Sequence, residues 1–431
     1  MQTAERSVPL FDYRGERNEC GFEDPTLPLA VVVARTQWDE APRIRHQLAR
    51  QLMRWFNVLF VEFFPDEHGA PASNQVRPAH ERLLLFRSQT WFQIPSRAYA
   101  NLPPLHSLGN RACSRQIAEM ARRQQASPVI LVNFVHDFPE IMSVPLFSYK
   151  IYVCFDEWPQ MWRRSTRPWG PKFYYHSKLY QHYENQVAKR ADRCLASHTP
   201  LQEKLSRVNP RTSLFLHGHE FKHTFPAEPR RRSPGTIKVG FMGYITYNLM
   251  LDWLTAVLDA EGMDLVLIGP PHEFDLTPFL KRMNFTHVPP LSGQSLLQKL
   301  TEMDVLIMPY DPCIPEVRVQ TVSNKFFQYL AAGRPVVISN MPCYIPMPRG
   351  VLYRANSALE FVDKIRQARG EDCPEFTELR LRIAQENTWD KRGDMLYSII
   401  QGDTGGKFAT ASREQSSLRP FAASTKVPAL P

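Results

Sequence analysis

From Leu29 onward, short unbroken apolar runs alternate with stretches whose apolar residues recur at helical spacing. "LAVVVAR" (29–35) is followed by "APRIRHQLARQLMRW", which sets Ile44, Leu48, Leu52 and Trp55 on one side of a helix and Arg43, Arg50 and Arg54 on the other. "NVLFVEFF" (57–64) is a second apolar run. Runs that are apolar at every position suit strands covered on both faces, so the chain opens as a strand–helix–strand unit of a parallel sheet. Residues 65–125 are poorly patterned apart from a strand at "RLLLFR". "PVILVNFV" (128–135) and "YKIYVCF" (149–155) are two more buried strands, followed by a helix near "YYHSKLYQHYENQVAKRA" and a short strand, "CLAS".

The pattern breaks at "PAEPRRRSPGT", where Pro, Arg, Ser and Gly cluster without apolar period, and then restarts. "TIKVGFMG" is a strand ending in glycine, and "LMLDWLTAVLDAEG" is a helix with a glycine stop. "MDLVLIGP", "SLLQKLTEM", "DVLIMPY" and "ALEFVDKIRQARG" continue as strand, helix, strand and helix. Two Rossmann-like halves in tandem are the simplest architecture. The expected division is an irregular arm over 1–27, a first domain over 28–226, a linker over 227–236, a second domain over 237–385, a closing helix over 386–401 and a disordered tail over 402–431. A length of 431 residues fits that count.

Composition narrows the function. The formal charge of +9 favours anionic partners such as nucleic acid, anionic lipid or a phosphorylated small molecule. Seven scattered cysteines without a CxxC indicate neither a disulfide framework nor a zinc knuckle, which points to a reducing cytoplasm. The first residues carry charges where a signal peptide needs an apolar run, and no run is long enough to span a bilayer, so membrane contact is expected to be peripheral. Neither half opens with GxGxxG, and GxxxxGK[ST] is absent, which removes the main support for dinucleotide oxidoreductase and P-loop readings.

The densest chemistry lies in "TVSNKFFQYLAAGRPVVISN" (321–340). Ser323 is an expected N-cap for a helix starting near Asn324, with Phe326, Phe327 and Leu330 turned to the core and Gly333 and Pro335 ending it. Lys325 and Gln328 then share one side. The helix would start after the strand "DVLIMPY", at the carboxyl edge of a parallel sheet, where ligands bind in open α/β folds. Backbone amides, the positive end of the helix and Lys325 together suit a diphosphate without metal, and Gln328 suits a sugar hydroxyl.

These residues resemble a family. "SNKFFQYLAAGRPVV" is similar to the nucleotide-binding helix of GT-B glycosyltransferases, especially those related to glycosyltransferase family 4. "KVGFMGYIT" resembles that family's first donor-domain strand and glycine loop, "LVLIGP" and "THVPPLSG" its base-passing segment, and "NTWDKRGDML" its closing helix. The likeness covers about 235–401 well. In the first half "RIRHQLARQLMRWFNVLFVE" and "KRADRCLASHTPLQEKL" match in layout. It implies an α/β GT-B fold of two facing Rossmann-like domains and metal-independent transfer of a sugar from a UDP- or GDP-sugar, with no cofactor. The donor residues it implies are Ser323, Asn324, Lys325, Gln328, Arg318 in the preceding loop, Gly243, Tyr244 and Tyr310. The family usually carries glutamate where this chain has Gln328; the glucuronosyltransferase of xanthan synthesis, an inverting enzyme, resembles this chain in using glutamine there.

Inverting transfer needs a base for the acceptor proton. Asp156, directly after "IYVCF" and beside Trp158, is one candidate, and the pair His136–Asp137 in "FVHDFPEI" is the other. Glu157 is a neighbour. His217, His219 and His223 in "LHGHEFKH" have conceivable metal spacing, but they coincide with a cleft-lining loop of the family, and no metal is expected. Between Trp158 and Tyr183 no acidic residue occurs, while Trp162, Arg163, Arg164 and Trp169 interleave rings and charges. That stretch suits RNA, an anionic polysaccharide, a lipid diphosphate or an anionic membrane surface. With the transferase reading it points to a lipid-linked or growing saccharide at the inner face of the cell membrane, and not to nucleic acid. A catalytically inactive relative and a sugar-nucleotide epimerase are the alternatives.

Overall fold

The structure is a computed structural model that describes residues 21–40, 42–62, 75–87, 102–161, 171–221, 235–272, 274–323 and 325–410. The chain forms two compact units: one within Met1–Ala196, Gln202–Leu214 and Gly393–Pro431, the other within Ser197–Leu201 and Phe215–Arg392.

The first unit is built on one sheet of β1 (Leu29–Ala34), β2 (Asn57–Glu62), β3 (Gln75–His80), β4 (Leu83–Arg87), β5 (Val129–Asn133), β6 (Tyr149–Cys154), β7 (Arg193–Ala196) and β8 (Thr212–Leu214). Their order is β3-β4-β2-β1-β5-β6-β7-β8, and only the β3–β4 pair is antiparallel. β1 pairs with β2 from Leu29↔Asn57 and with β5 from Leu29↔Val129, and all three strands are buried along their length. Such strands need apolar side chains on both faces, which is why they read as continuous runs.

Two elements of this unit escape the apolar pattern. β3 carries Arg77 and Pro78, which an outermost strand tolerates because one of its edges needs no ladder partner. The helix Pro103–Arg123 falls inside the stretch expected to be poorly patterned. Its buried residues are His106, Gly109, Asn110, Cys113, Ser114, Ile117, Ala118, Met120 and Ala121, of which only Ile117 and Met120 are large and apolar.

The helix expected over 386–401 spans Trp389–Thr404, and within 402–410, expected in the disordered tail, Asp403 and Phe408 make contacts. Asp403 pairs with Arg193 at 2.5 Å, and Phe408 is buried. Tyr397 lies flat on Trp55 with ring centroids 4.4 Å apart, and Arg54 reaches Asp394 at 2.8 Å. The charged face expected for the helix Ile44–Leu52 is thus partly spent on packing. The remainder of the tail, the first twenty residues of the arm and linker residues 227–234 lie outside the described residues.

The second unit is a parallel sheet of β9 (Ile237–Met242), β10 (Met263–Ile268), β11 (Phe285–Val288), β12 (Val305–Met308), β13 (Val336–Ser339) and β14 (Leu352–Ala355). The order is β11-β10-β9-β12-β13-β14. It winds outward both ways from β9 and β12, the doubly wound order in which a crevice opens beyond the carboxyl ends of the two central strands. In the first unit the same reversal falls between β1 and β5.

Arg380, on the helix Pro374–Gln385, is wholly buried in the second unit. Its guanidinium donates to the carbonyls of Gly333 (2.9 Å) and Gly350 (2.5 Å) and to Thr377 Oγ1 (3.0 Å), and it pairs with Asp372. Those two carbonyls close the ends of neighbouring segments, so the arginine acts as an internal tie. Arg380→Met should lower the unfolding free energy by about 2–4 kcal/mol, because the two carbonyls lose their buried donor and the partly exposed Asp372 its partner. Denaturant titration measures it; a loss below about 1 kcal/mol contradicts the tie.

Candidate functional site

In the second unit the crevice beyond β9 and β12 is lined by the residues that directly follow them. β9 ends in Gly243 at φ +125°, with its N–H bonded to Ile268 O at 2.8 Å. Tyr310 comes two residues after β12 and is buried. The helix Phe326–Ala331 delivers Lys325 from its N-cap position. Phe326, Phe327, Tyr329 and Leu330 are buried, whereas Lys325 and Gln328 are partly exposed on the remaining face, as the spacing predicts. Tyr329 fixes the helix to both central strands: its hydroxyl accepts the Met242 N–H at 2.8 Å and donates to Ile307 O at 3.4 Å. Gly333, at φ +70°, ends the helix.

The Lys325 amine donates to the Tyr310 hydroxyl. It stands 4.7 Å from the centroid of Phe241 and 4.9 Å from that of Tyr310. A Cβ on Gly243 would fall 2.2 Å from Lys325 Cε and 2.6 Å from Nζ, so only glycine leaves the amine its place. Rings hold a cation weakly compared with water, and burial lowers the amine to about 7. The same enclosure pushes the Tyr310 phenol up. The lysine therefore loses its proton more readily than a solvated amine, and the hydrogen-bond partner it has among the described residues is the Tyr310 hydroxyl.

The surrounding residues differ from expectation in detail. Helical geometry begins at Phe326, and Ser323 caps nothing: its hydroxyl donates to Met308 Sδ at 3.0 Å and its N–H to the Tyr344 hydroxyl at 3.4 Å. The buried Met308 sulfur and Tyr344 ring capture a side chain that local preference would have turned to the helix. Arg318 ends a short helical turn, Pro315–Arg318, and is exposed, as is Tyr244 beyond Gly243. Asn324 lies outside the described residues.

In the first unit the residues after β1, β5 and β6 form a second polar group. His136 is buried and stacks on Trp158 with centroids 4.9 Å apart and planes within 6°. Trp158 also meets Phe155 edge-on. Among the described residues neither His136 Nε2 nor Trp158 Nε1 has a hydrogen-bond partner. Burial lowers His136 to about 4, so its imidazole is neutral at pH 7. The Asp137 carboxylate turns instead to Arg35 at 2.5 Å and to His106 at 3.5 Å. Although burial alone would raise that carboxyl, the Arg35 charge dominates and holds it well below the usual carboxylate range. Asp137 thus pairs with Arg35, beside His136. Asp156 is partly exposed after β6. Glu157 is buried and bonded to Lys204 at 2.8 Å, and Lys204 also reaches Glu184 at 2.8 Å.

Trp162, Arg163, Arg164 and Trp169 lie outside the described residues, as does His223. His219 uses both ring nitrogens on backbone, Nε2 with Ala384 O at 2.8 Å and Nδ1 with the Phe221 N–H at 3.2 Å, which leaves none for a metal. Among the described residues no group of three His, Cys, Asp or Glu side chains is placed to hold a metal ion. Sequence reading missed Phe241, which the run "VGFM" hides as a core residue, and Arg35, whose position directly after a central strand was the available signal.

The lysine's depressed value has a sign that can be checked. In the unfolded chain the amine titrates near 10.5, so between about pH 7 and 10.5 the unfolded state binds more protons than the folded one. Folding stability should rise with pH through that window, by up to about 1.4 kcal/mol per unit. Unfolding titrations of wild type and Lys325→Met between pH 6.5 and about 9 should diverge, the wild type gaining relative to the variant; parallel curves contradict a buried, neutralising amine.

No protein-family model matches the chain. It is 23% identical over 284 residues, 61% of this chain and 70% of its relative, to TuaH of Bacillus subtilis, which is named as a glycosyltransferase of teichuronic acid biosynthesis. Among solved structures, Anabaena HepE in complex with UDP superposes with a TM-score of 0.59 at 11% identity, over 88% of this chain and all of HepE. An α,α-trehalose-phosphate synthase (UDP-forming) from Burkholderia vietnamiensis superposes with a TM-score of 0.62 at 9% identity, over 89% of this chain and 99% of the synthase. Two α/β units, each on a largely parallel sheet, give this chain the fold of the GT-B glycosyltransferases.

Proposed function

We propose that the protein is a glycosyltransferase that takes a sugar from a nucleotide diphosphate sugar and passes it to a hydroxyl of a lipid-linked or growing saccharide. The observation that carries this reading is the Lys325 amine, held over Gly243 by Tyr310 at the strand-order reversal of the second unit. A diphosphate entering there supplies an anion to the amine, for which Gly243 leaves room. When the bond from the anomeric carbon to the diphosphate oxygen breaks, negative charge grows on that oxygen, and a protonated Lys325 stabilises it. Gln328, one turn on, suits a donor hydroxyl, and Arg318 and Tyr244 stand exposed for the remaining phosphate or the base. The UDP complex of HepE favours a uridine donor over a guanosine one.

For the acceptor proton, Asp156 is the base this reading prefers, with neutral His136 as the second candidate. The polymer role named for TuaH supports a saccharide acceptor. Among the described residues no helix is long and apolar enough to cross a membrane. Tyr174, Tyr175 and Lys178 are exposed on the helix Pro171–Arg190, which suits peripheral attachment to an anionic membrane surface.

Hydrolysis of UDP- and GDP-sugars should fall by about 10²-fold in Lys325→Ala, while the variant stays folded. Because diphosphate binds the protonated amine, UDP affinity should weaken by up to about tenfold per pH unit above 7 in the wild type, and this slope should vanish in the variant. Turnover that survives the substitution, or no nucleotide binding at millimolar concentration, overturns the proposal.

A further inference from the structure

The segment that carries Lys325 is clasped at a single residue. Thr321 lies between the turn Pro315–Arg318 and the helix Phe326–Ala331 and is fully buried. All three of its polar groups are engaged. Its carbonyl accepts the Ile345 N–H at 3.0 Å. Its hydroxyl accepts the Thr199 N–H at 2.7 Å, one of the amides that the start of the helix Thr199–Ser206 leaves without an intrahelical partner. Its own N–H donates to His198 Nδ1 at 3.1 Å.

His198 is 6% exposed and follows β7 within the part of the chain that packs with the second unit. Accepting at Nδ1 puts its ring proton on Nε2. Its ring lies 5.9 Å from that of His217, and burial holds both neutral, at about 4 and about 3. A protonated ring would have no lone pair for the Thr321 amide, so the burial is what keeps the bond available.

The clasp matters because residues 319–323 belong to no helix or strand. Ordering such a segment costs about 1–2 kcal/mol per residue of backbone entropy, and a binding amine works only when held within about 0.5 Å. We infer that His198 is a positioning residue for the nucleotide site: by accepting the Thr321 amide it fixes the segment 319–323, and through it sets how well Lys325 meets the donor diphosphate. This rests on the donor assignment made above.

Asparagine can offer a carbonyl oxygen close to the place of Nδ1, whereas leucine fills the space without an acceptor. His198→Leu should weaken UDP binding about tenfold, the loss of roughly one buried hydrogen bond, and speed amide hydrogen exchange over 319–323 in the nucleotide-free protein. His198→Asn should keep the dissociation constant within about twofold of wild type and keep the protection. His198→Phe, which keeps a ring but offers the Thr321 amide no acceptor, should move both readouts in the same direction as His198→Leu and decides the matter if that variant does not fold. Wild-type affinity and protection in His198→Leu, or equal losses in the leucine and asparagine variants, overturn the inference. If the wild type binds no UDP the donor assignment fails, while the exchange measurement still decides whether the clasp orders the segment.

Discussion

A cation kept where water cannot fully reach it governs the architecture of the second unit. Lys325 Nζ lies near the Phe241 ring and donates to the Tyr310 hydroxyl, and its helix is bolted to β9 and β12 through Tyr329. Such an amine is unstable as a charge and gains from any anion that enters. Several features that look independent serve this one group. Gly243 must be glycine because the amine occupies its Cβ position. Gly333 ends the helix early, and Arg380 holds the Gly333 carbonyl from below. Thr321 and its partners fix the approach.

The first unit has the same strand-order reversal but the opposite chemistry. Where the second unit offers one poorly solvated cation, the first satisfies its cation at once: Arg35, after β1, is matched by Asp137, after β5. Beside that pair stand the stacked rings of His136 and Trp158, whose Nε2 and Nε1 have no partner among the described residues, and the partly exposed Asp156. A polyanion is drawn to the first kind of crevice and an uncharged hydroxyl to the second. That contrast supports the proposal that the donor binds in the second unit.

How far this was legible in the chain depended on where the information was local. The strands Leu29–Ala34, Asn57–Glu62, Ile237–Met242 and Met263–Ile268 are apolar on both faces and announce a covered parallel sheet. The pairing of Lys325 with Gln328 on one helical side follows from spacing alone. The helix Pro103–Arg123 was not legible, because it buries Asn110, Ser114 and Gly109 and few large apolar residues. Ser323 misleads for another reason. Its sequence context favours capping, yet Met308 and Tyr344, distant along the chain, offer buried partners that local preference cannot see. Asp137 reads in the sequence as half of a candidate base pair with His136, and its ion pair with Arg35, about a hundred residues earlier, cannot be seen there.

The most direct measurement is a crystal structure of the complex with UDP. The account predicts the pyrophosphate in the crevice beyond β9 and β12, with an oxygen within hydrogen-bonding reach of Lys325 Nζ and the Gly243 backbone close by. A nucleotide seated elsewhere, with the lysine still turned to Tyr310, would contradict it.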